Sequence, residues 1–119
     1  MKRILVADDN PAILDALEIM LEENGYIVET TEDGSTVLDL KQPLPDLLLL
    51  DVWMSGIDGR DVCRYLKSTA VTKHIPVVLI SATKDIEQIG KDAGADDYIS
   101  KPFQMDHLLS VVAEQINKP

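Results

Sequence analysis

The stretch Asp46-Leu47-Leu48-Leu49-Leu50-Asp51 places four consecutive leucines directly before a single carboxylate. The leucine run is too short to cross a membrane, and its lack of polar alternation is typical of a strand covered on both faces. Such strands belong to parallel sheets that carry helices on each side. Ligands and chemistry collect at the carboxyl edge of these sheets, so Asp51 is the first candidate for a functional residue.

The rest of the chain alternates between strand-like and helix-like segments. Short apolar runs predict strands at residues 3–7, 26–30, 46–51, 75–81 and 97–100. Helical spacing predicts helices from residue 11 to about 23, over 35–40, from about 58, over 85–92 with an interruption at Gly90, and over 104–117. Residues 52–57 are predicted to form a loop. Strands alternating with helices in this way indicate an α/β fold with a doubly wound five-stranded parallel sheet.

The charge of the chain limits the partners that it can bind directly. With 21 acidic and 11 basic residues, the formal charge is −10, and such a surface repels nucleic acids and anionic membranes. We therefore expect no direct nucleic-acid contact and no membrane association. Cys63 is the only cysteine, which excludes an internal disulfide and fits a small buried apolar side chain. We find no leader or long apolar span, so we expect a cytoplasmic location.

Polar side chains end four of the predicted strands, where folding alone does not require them. These residues are Asp8 and Asp9, Asp51, Ser81 and Lys101. In one parallel sheet all of these ends meet at one edge, and three converging carboxylates would repel one another strongly. A divalent cation bound by oxygen ligands, Mg²⁺ in preference to Zn²⁺, would neutralise them. With a hydroxyl and an ammonium added, the set suits a phosphoryl group attacked by Asp51.

Each of these residues also has a purely structural interpretation. Asp8 or Asp9 could cap the following helix, Lys101 could be a solvated surface residue, and Ser81 could belong to a turn. Their arrangement on successive strand ends favours a shared site over an accidental set.

Five motifs occur in an order that resembles a known family. They are Ile4-Leu5-Val6-Ala7-Asp8-Asp9, Leu49-Leu50-Asp51 followed by Met54 and Asp58-Gly59, Ser81-Ala82, Ala93-Gly94-Ala95-Asp96-Asp97-Tyr98, and Lys101-Pro102-Phe103. Together they resemble the receiver domain of two-component response regulators over essentially the whole chain. The resemblance implies a flavodoxin-like (βα)5 fold with strand order 2-1-3-4-5.

The resemblance also implies roles for individual residues. Asp51 would accept a phosphoryl group from a sensor histidine kinase or a phosphotransfer protein. Asp8, Asp9, Asp51 and the backbone carbonyl of Trp53 would bind Mg²⁺. Ser81 and Lys101 would bind the phosphoryl oxygens.

Further implications concern the switch and the surroundings of the site. Tyr98 would act with Ser81 as a switch residue, and the Lys101–Pro102 peptide would be cis. The chain departs from the family pattern in having Ser55 after Met54, where proline is usual, and in a segment from 81 to 101 that is about two residues shorter than in the chemotaxis relative. Trp53 fills a variable position beside the phosphoryl site.

Three other functions are alternatives, and the residues disfavour each of them. A receiver-like interaction module would work without phosphorylation, although the complete set of site residues disfavours it. A Mg²⁺-dependent phosphatase with an aspartyl-phosphate intermediate usually has a second aspartate where this chain has Trp53. A flavin-binding flavodoxin relative would need a phosphate loop rich in Ser, Thr and Gly after its first strand, and none is present.

The expected domain organisation is a single receiver domain over residues 1–119. Met1 suggests a natural start, and Pro119 could precede an effector domain. The pattern of residues does not name the kinase, the pathway or the output.

Overall fold

The computed structural model describes residues 1–54 and 56–118; Ser55, in the predicted loop, and Pro119, in the predicted domain, lie outside the described residues. The strands are β1 (Arg3–Ala7), β2 (Ile27–Thr31), β3 (Leu47–Asp51), β4 (Trp53–Met54), β5 (Ile57–Asp58), β6 (Val77–Ser81) and β7 (Asp97–Ser100). The helices are α1 (Pro11–Glu23), α2 (Ser35–Leu38), α3 (Gly59–Lys67), α4 (Ile86–Ala93) and α5 (Met105–Ile116).

The central sheet is parallel, with the strand order β2-β1-β3-β6-β7. Since β4 and β5 form a separate two-stranded sheet, this order confirms the predicted 2-1-3-4-5 arrangement of the flavodoxin-like fold. The leucine strand β3 occupies the centre, between β1 and β6.

The leucine run is apolar throughout because helices cover both faces of the sheet. Leu47 and Leu49 point into a core cluster shared with α1 and α5, whereas Leu48 and Leu50 point into a second cluster shared with α3 and α4. All four leucines are completely buried. Burying a leucine side chain contributes about 1.5–3 kcal/mol. Because its leucines enter both clusters, β3 links the two halves of the core.

The segment after Asp51 is more regular than the sequence predicts. Residues 52–57 were expected to form a loop, but Trp53 and Met54 pair antiparallel with Asp58 and Ile57 as a short two-stranded sheet. Two-residue strands carry too little alternation to be detected from sequence. This hairpin places Trp53 opposite Asp58, and Asp58 caps the first turn of α3.

Two helices also differ from their predicted forms. The predicted helix over residues 35–40 ends at Leu38, because Asp39 leaves the helical region with a φ of −128°. Gly90 does not interrupt α4, which is continuous from Ile86 to Ala93. Gly90 is buried and faces Tyr98, with room for a Cβ at an ordinary contact distance. The cis Lys101–Pro102 peptide is confirmed, and Gln42–Pro43 is also cis.

We expect opposite effects from adding a methyl group at two buried glycines. A Cβ at Gly59 would collide with the Asp51 carbonyl oxygen and the Val52 backbone, whereas a Cβ at Gly90 would meet the Tyr98 Cβ at an ordinary 3.6 Å. Gly59→Ala should lower the free energy of unfolding by about 1–3 kcal/mol. Gly90→Ala should raise it by up to about 1 kcal/mol, because alanine favours a helix interior. Urea denaturation of both variants tests this, and a stabilised Gly59→Ala variant would contradict the packing.

Candidate functional site

Three carboxylates converge at the carboxyl edge of the central sheet. Asp8 and Asp9 directly follow β1, and Asp51 is the last residue of β3. Each offers an oxygen atom, and these atoms lie within 4.8 Å of one another, making this the acidic group within the described residues that could hold a metal ion. Asp8 and Asp51 are buried, whereas Asp9 is exposed. The structure thus brings together the three acidic residues predicted from sequence.

Lys101 contacts this cluster from the end of an outermost strand of the sheet. Its Nζ lies 3.0 Å from Asp8 Oδ2 and 3.5 Å from Asp51 Oδ1. The residue follows β7, and its backbone N–H donates to the Ser81 carbonyl at 2.8 Å. One ammonium therefore contacts two buried carboxylates, which leaves the group with an excess of negative charge.

That excess changes the acidity of the central carboxyl. Burial, followed by the charge on Asp8, raises the pKa of Asp51 from 3.8 to about 6, although Lys101 acts in the opposite direction. Desolvation and a neighbouring negative charge both disfavour the ionised form. Asp51 is therefore ionised at neutral pH but at a cost in free energy, and a cation beside it would lower that cost.

The donor set fits a hard divalent cation. All of the converging side-chain ligands are carboxylate oxygens, which suit Mg²⁺ or Ca²⁺ better than the softer transition metals. Asp8 is further oriented by the Asn10 N–H, which donates to its other oxygen at 2.9 Å. The role of the Trp53 carbonyl as a ligand stays a prediction.

Ser81 reaches the same edge at the end of β6 and contacts a residue that sequence analysis missed. Its buried hydroxyl donates to Thr83 Oγ1 at 3.0 Å and accepts the Thr83 N–H at 3.1 Å. Trp53 Nε1 donates to the same Thr83 oxygen at 2.9 Å. Thr83 carries no strand-end signal of its own, so only the folded contacts identify it.

The indole of Trp53 lies between Thr83 and a second residue that was not predicted. The Arg60 guanidinium lies over the ring, 4.7 Å from its centroid. Arg60 is itself paired with Asp58 at 2.6 Å. The predicted placement of Trp53 beside the site is consistent with these contacts, although half of its surface remains exposed.

Tyr98 and Cys63 lie outside the acidic cluster. Tyr98, on β7, is partly buried against the core cluster of α3 and α4 and lines a shallow groove with residues of the β7–α5 segment. Cys63 is fully buried, and burial raises its pKa to about 11. Such a thiol is unreactive, which confirms that Cys63 serves as a core residue.

The family model of the response regulator receiver domain matches residues 4–113. The chain belongs to this family. Among curated proteins, this receiver domain is 43% identical over 111 residues to the response regulator MprA of Mycolicibacterium vanbaalenii, covering 91% of this chain and 47% of that protein. The MprA of Mycobacterium avium matches equally, with 43% identity and 48% of its length covered. The chain thus spans about half the length of the curated relatives that it matches.

Solved receiver domains share the whole fold. The receiver domain of NtrX from Brucella abortus is 32% identical, with a TM-score of 0.86 and coverage of 98% of this chain and 99% of that one. The response regulator TrrA of Thermotoga maritima, solved in complex with Mg²⁺ and BeF, is 34% identical, with a TM-score of 0.86 and coverage of 97% and 99%. No helix in the described part of this receiver domain is long and apolar enough to cross a membrane.

The raised pKa of Asp51 predicts a pH-dependent stability in the absence of metal. Because folding favours the protonated carboxyl, the stabilising contribution of Asp51 is complete below about pH 4 and is lost as the pH rises through about 6. In EDTA, Asp51→Asn should match the wild type near pH 4 and exceed it by roughly 1–2 kcal/mol at pH 7.5.

Denaturation curves across this pH range provide the measurement. Asp15→Asn, which removes an exposed carboxylate from the middle of α1, controls for the change in net charge. A difference between Asp51→Asn and the wild type that stays constant with pH would contradict the raised pKa.

Proposed function

We propose that this receiver domain is a phosphorylation-activated signalling switch in which Asp51 accepts a phosphoryl group from phosphohistidine. The observation that carries this proposal is the convergence of Asp8, Asp9 and Asp51 within 4.8 Å at the edge of the sheet, with Lys101 in contact with two of them. The donor would be a sensor histidine kinase or a phosphotransfer protein.

In the transfer, a carboxylate oxygen of Asp51 forms the new bond to phosphorus as the bond between phosphorus and the donor imidazole nitrogen breaks. The electron pair of the broken bond stays on the imidazole, which takes up a proton. With a pKa of about 6, Asp51 is largely ionised at neutral pH and ready to attack. Its neighbours Asp8 and Lys101 would restrict the orientation of the carboxylate, which favours the in-line geometry that transfer requires.

Asp8, Asp9, Asp51 and the Trp53 carbonyl would hold Mg²⁺, the ion present with TrrA. When bound, this ion neutralises charge on the transferring phosphoryl oxygens. Lys101 would supply the second positive charge, and the 3.5 Å distance from its Nζ to Asp51 Oδ1 supports this role. Binding of the metal would also relieve the repulsion from Asp8, which adds to burial in raising the pKa of Asp51.

Ser81 and Tyr98 would convert the new phosphoryl group into a change at the surface. Ser81 lies at the same edge as Asp51 and would bind a phosphoryl oxygen through its hydroxyl. Tyr98, which packs against Gly90 of α4, would turn inward and change the surface formed by α4, β7 and α5. The change is a shift between two existing conformations.

The proposal extends to the surroundings of the domain. The relatives are about twice as long as this chain, which supports an effector domain or an effector protein as the target of the switch, and a cytoplasmic location would give access to both partners. The domain would catalyse no turnover of a separate substrate, but it would assist its own phosphorylation and dephosphorylation.

Small phosphodonors allow a direct test of Asp51 as the phosphoryl acceptor. With acetyl phosphate and Mg²⁺, the wild type should gain one phosphoryl group that is stable in acid and labile to hydroxylamine, as expected for an acyl phosphate. Asp51→Asn should gain none. Asp46→Asn is a matched control, because Asp46 precedes the opposite end of the same strand and accepts the Arg3 N–H.

Intact-mass analysis decides among the outcomes. Labelling of Asp46→Asn but not of Asp51→Asn supports the proposal. Equal labelling of Asp51→Asn refutes the acceptor assignment, and an unlabelled wild type favours an interaction module that works without phosphorylation.

The contribution of Asp9 to metal binding can be measured separately. Asp9→Asn should weaken Mg²⁺ binding by about tenfold or more, because the number of ligand charges sets the affinity of hard cations. Without metal the same variant should be more stable than the wild type, since one repulsive carboxylate is removed. A titration followed by the fluorescence of Trp53 measures the affinity, with Asp15→Asn as the control. Unchanged Mg²⁺ affinity in Asp9→Asn would remove this residue from the metal site.

A further inference from the structure

Thr83 contacts both the Ser81 hydroxyl and Trp53 in β4, the short strand after Asp51. Its hydroxyl oxygen accepts one hydrogen bond from Ser81 at 3.0 Å and another from the Trp53 indole at 2.9 Å. Trp53 and Thr83 are 30 residues apart in sequence. The contact therefore crosses from β4, which follows β3, to the segment after β6.

The Trp53 end of this connection is itself held in place. The ring is covered by Arg60, whose guanidinium donates to both oxygens of Asp58 at 2.6–3.0 Å. Hydrogen bonds from Arg60 lower the pKa of Asp58, so this pair stays charged. Asp58 also faces Trp53 across the β4–β5 hairpin. A half-exposed indole is thereby restricted to an orientation in which its N–H reaches Thr83.

We propose that Thr83, oriented by Trp53, is a positioning residue that holds the Ser81 hydroxyl in its resting orientation and so limits activation. This inference rests on the proposed function, in which Ser81 binds a phosphoryl oxygen. In the resting domain the Ser81 hydroxyl hydrogen is donated to Thr83. Ser81 has to break this bond before it can donate to a phosphoryl oxygen.

The size of the effect follows from one hydrogen bond that exists in the resting conformation and is lost in the active one. A ligand shifts such an equilibrium only by its difference in affinity for the two conformations. Removing the Thr83 hydroxyl should therefore favour the active conformation by about three- to tenfold, the usual range for one intramolecular hydrogen bond. The backbone contact from the Thr83 N–H to Ser81 remains and limits the gain.

The test is a titration with Mg²⁺ and beryllofluoride, which mimics a phosphoryl group on Asp51. Backbone amide NMR signals report the fraction in the active conformation, and the Nε1–H signal of Trp53 reports its contact with Thr83. Thr83→Val keeps the shape of the side chain without the hydroxyl, and Thr83→Ser restores the hydroxyl. Trp53→Phe keeps an aromatic ring beneath Arg60 but removes the N–H. Thr69→Val is the control. It removes a threonine hydroxyl that donates a hydrogen bond to the Tyr65 carbonyl at the C-terminal end of α3.

We expect Thr83→Val to reach half-saturation at about three- to tenfold less beryllofluoride and to shift the indole signal. Thr83→Ser and Thr69→Val should behave like the wild type, and Trp53→Phe should show a smaller change in the same direction as Thr83→Val. Unchanged or weaker beryllofluoride binding in Thr83→Val, while the wild type binds normally, would overturn this inference and leave the proposed function standing. Failure of the wild type to bind beryllofluoride would instead overturn the proposed function.

Discussion

The mutual repulsion of Asp8 and Asp51, both buried and both in contact with Lys101, is the constraint around which this domain is built. Two carboxylates and one ammonium leave uncompensated negative charge in a buried site, and burial together with the Asp8 charge raises the pKa of Asp51. In an isolated chain these groups would separate into water. Only a parallel sheet, which collects strand ends at one edge, keeps them together.

The core provides the free energy that holds this unfavourable arrangement. The leucines of β3 alternate between a cluster shared with α1 and α5 and a cluster shared with α3 and α4. Asp51 therefore belongs to a strand that both halves of the core fix in position. Proteins commonly concentrate such local conflicts at functional sites, and under the proposed function this conflict would serve a cation and a phosphoryl group. The same charges that cost stability without metal would support phosphoryl transfer with it.

A chain of side-chain contacts joins the site to the segments that surround it. Ser81 contacts Thr83, Thr83 contacts Trp53, and Trp53 packs against Arg60. Thr83 therefore contacts both the Ser81 hydroxyl and the indole of Trp53 in β4. Thr83 thus connects the end of β6 to the β4–β5 hairpin.

Periodicity and strand-end chemistry were sufficient to predict the parallel sheet, its helices and the convergence of Asp8, Asp9, Asp51 and Lys101. These features follow from local pattern, because a doubly covered strand must be apolar throughout and parallel strands must end at one edge. The hairpin at Trp53, the continuity of α4 through Gly90 and the contacts of Thr83 and Arg60 were not predictable in this way. They depend on contacts between distant parts of the chain, such as the hydrogen bond between Trp53 and Thr83, which are 30 residues apart in sequence. Packing decides such meetings, and two-residue strands and single hydroxyls leave no periodic signal in a sequence.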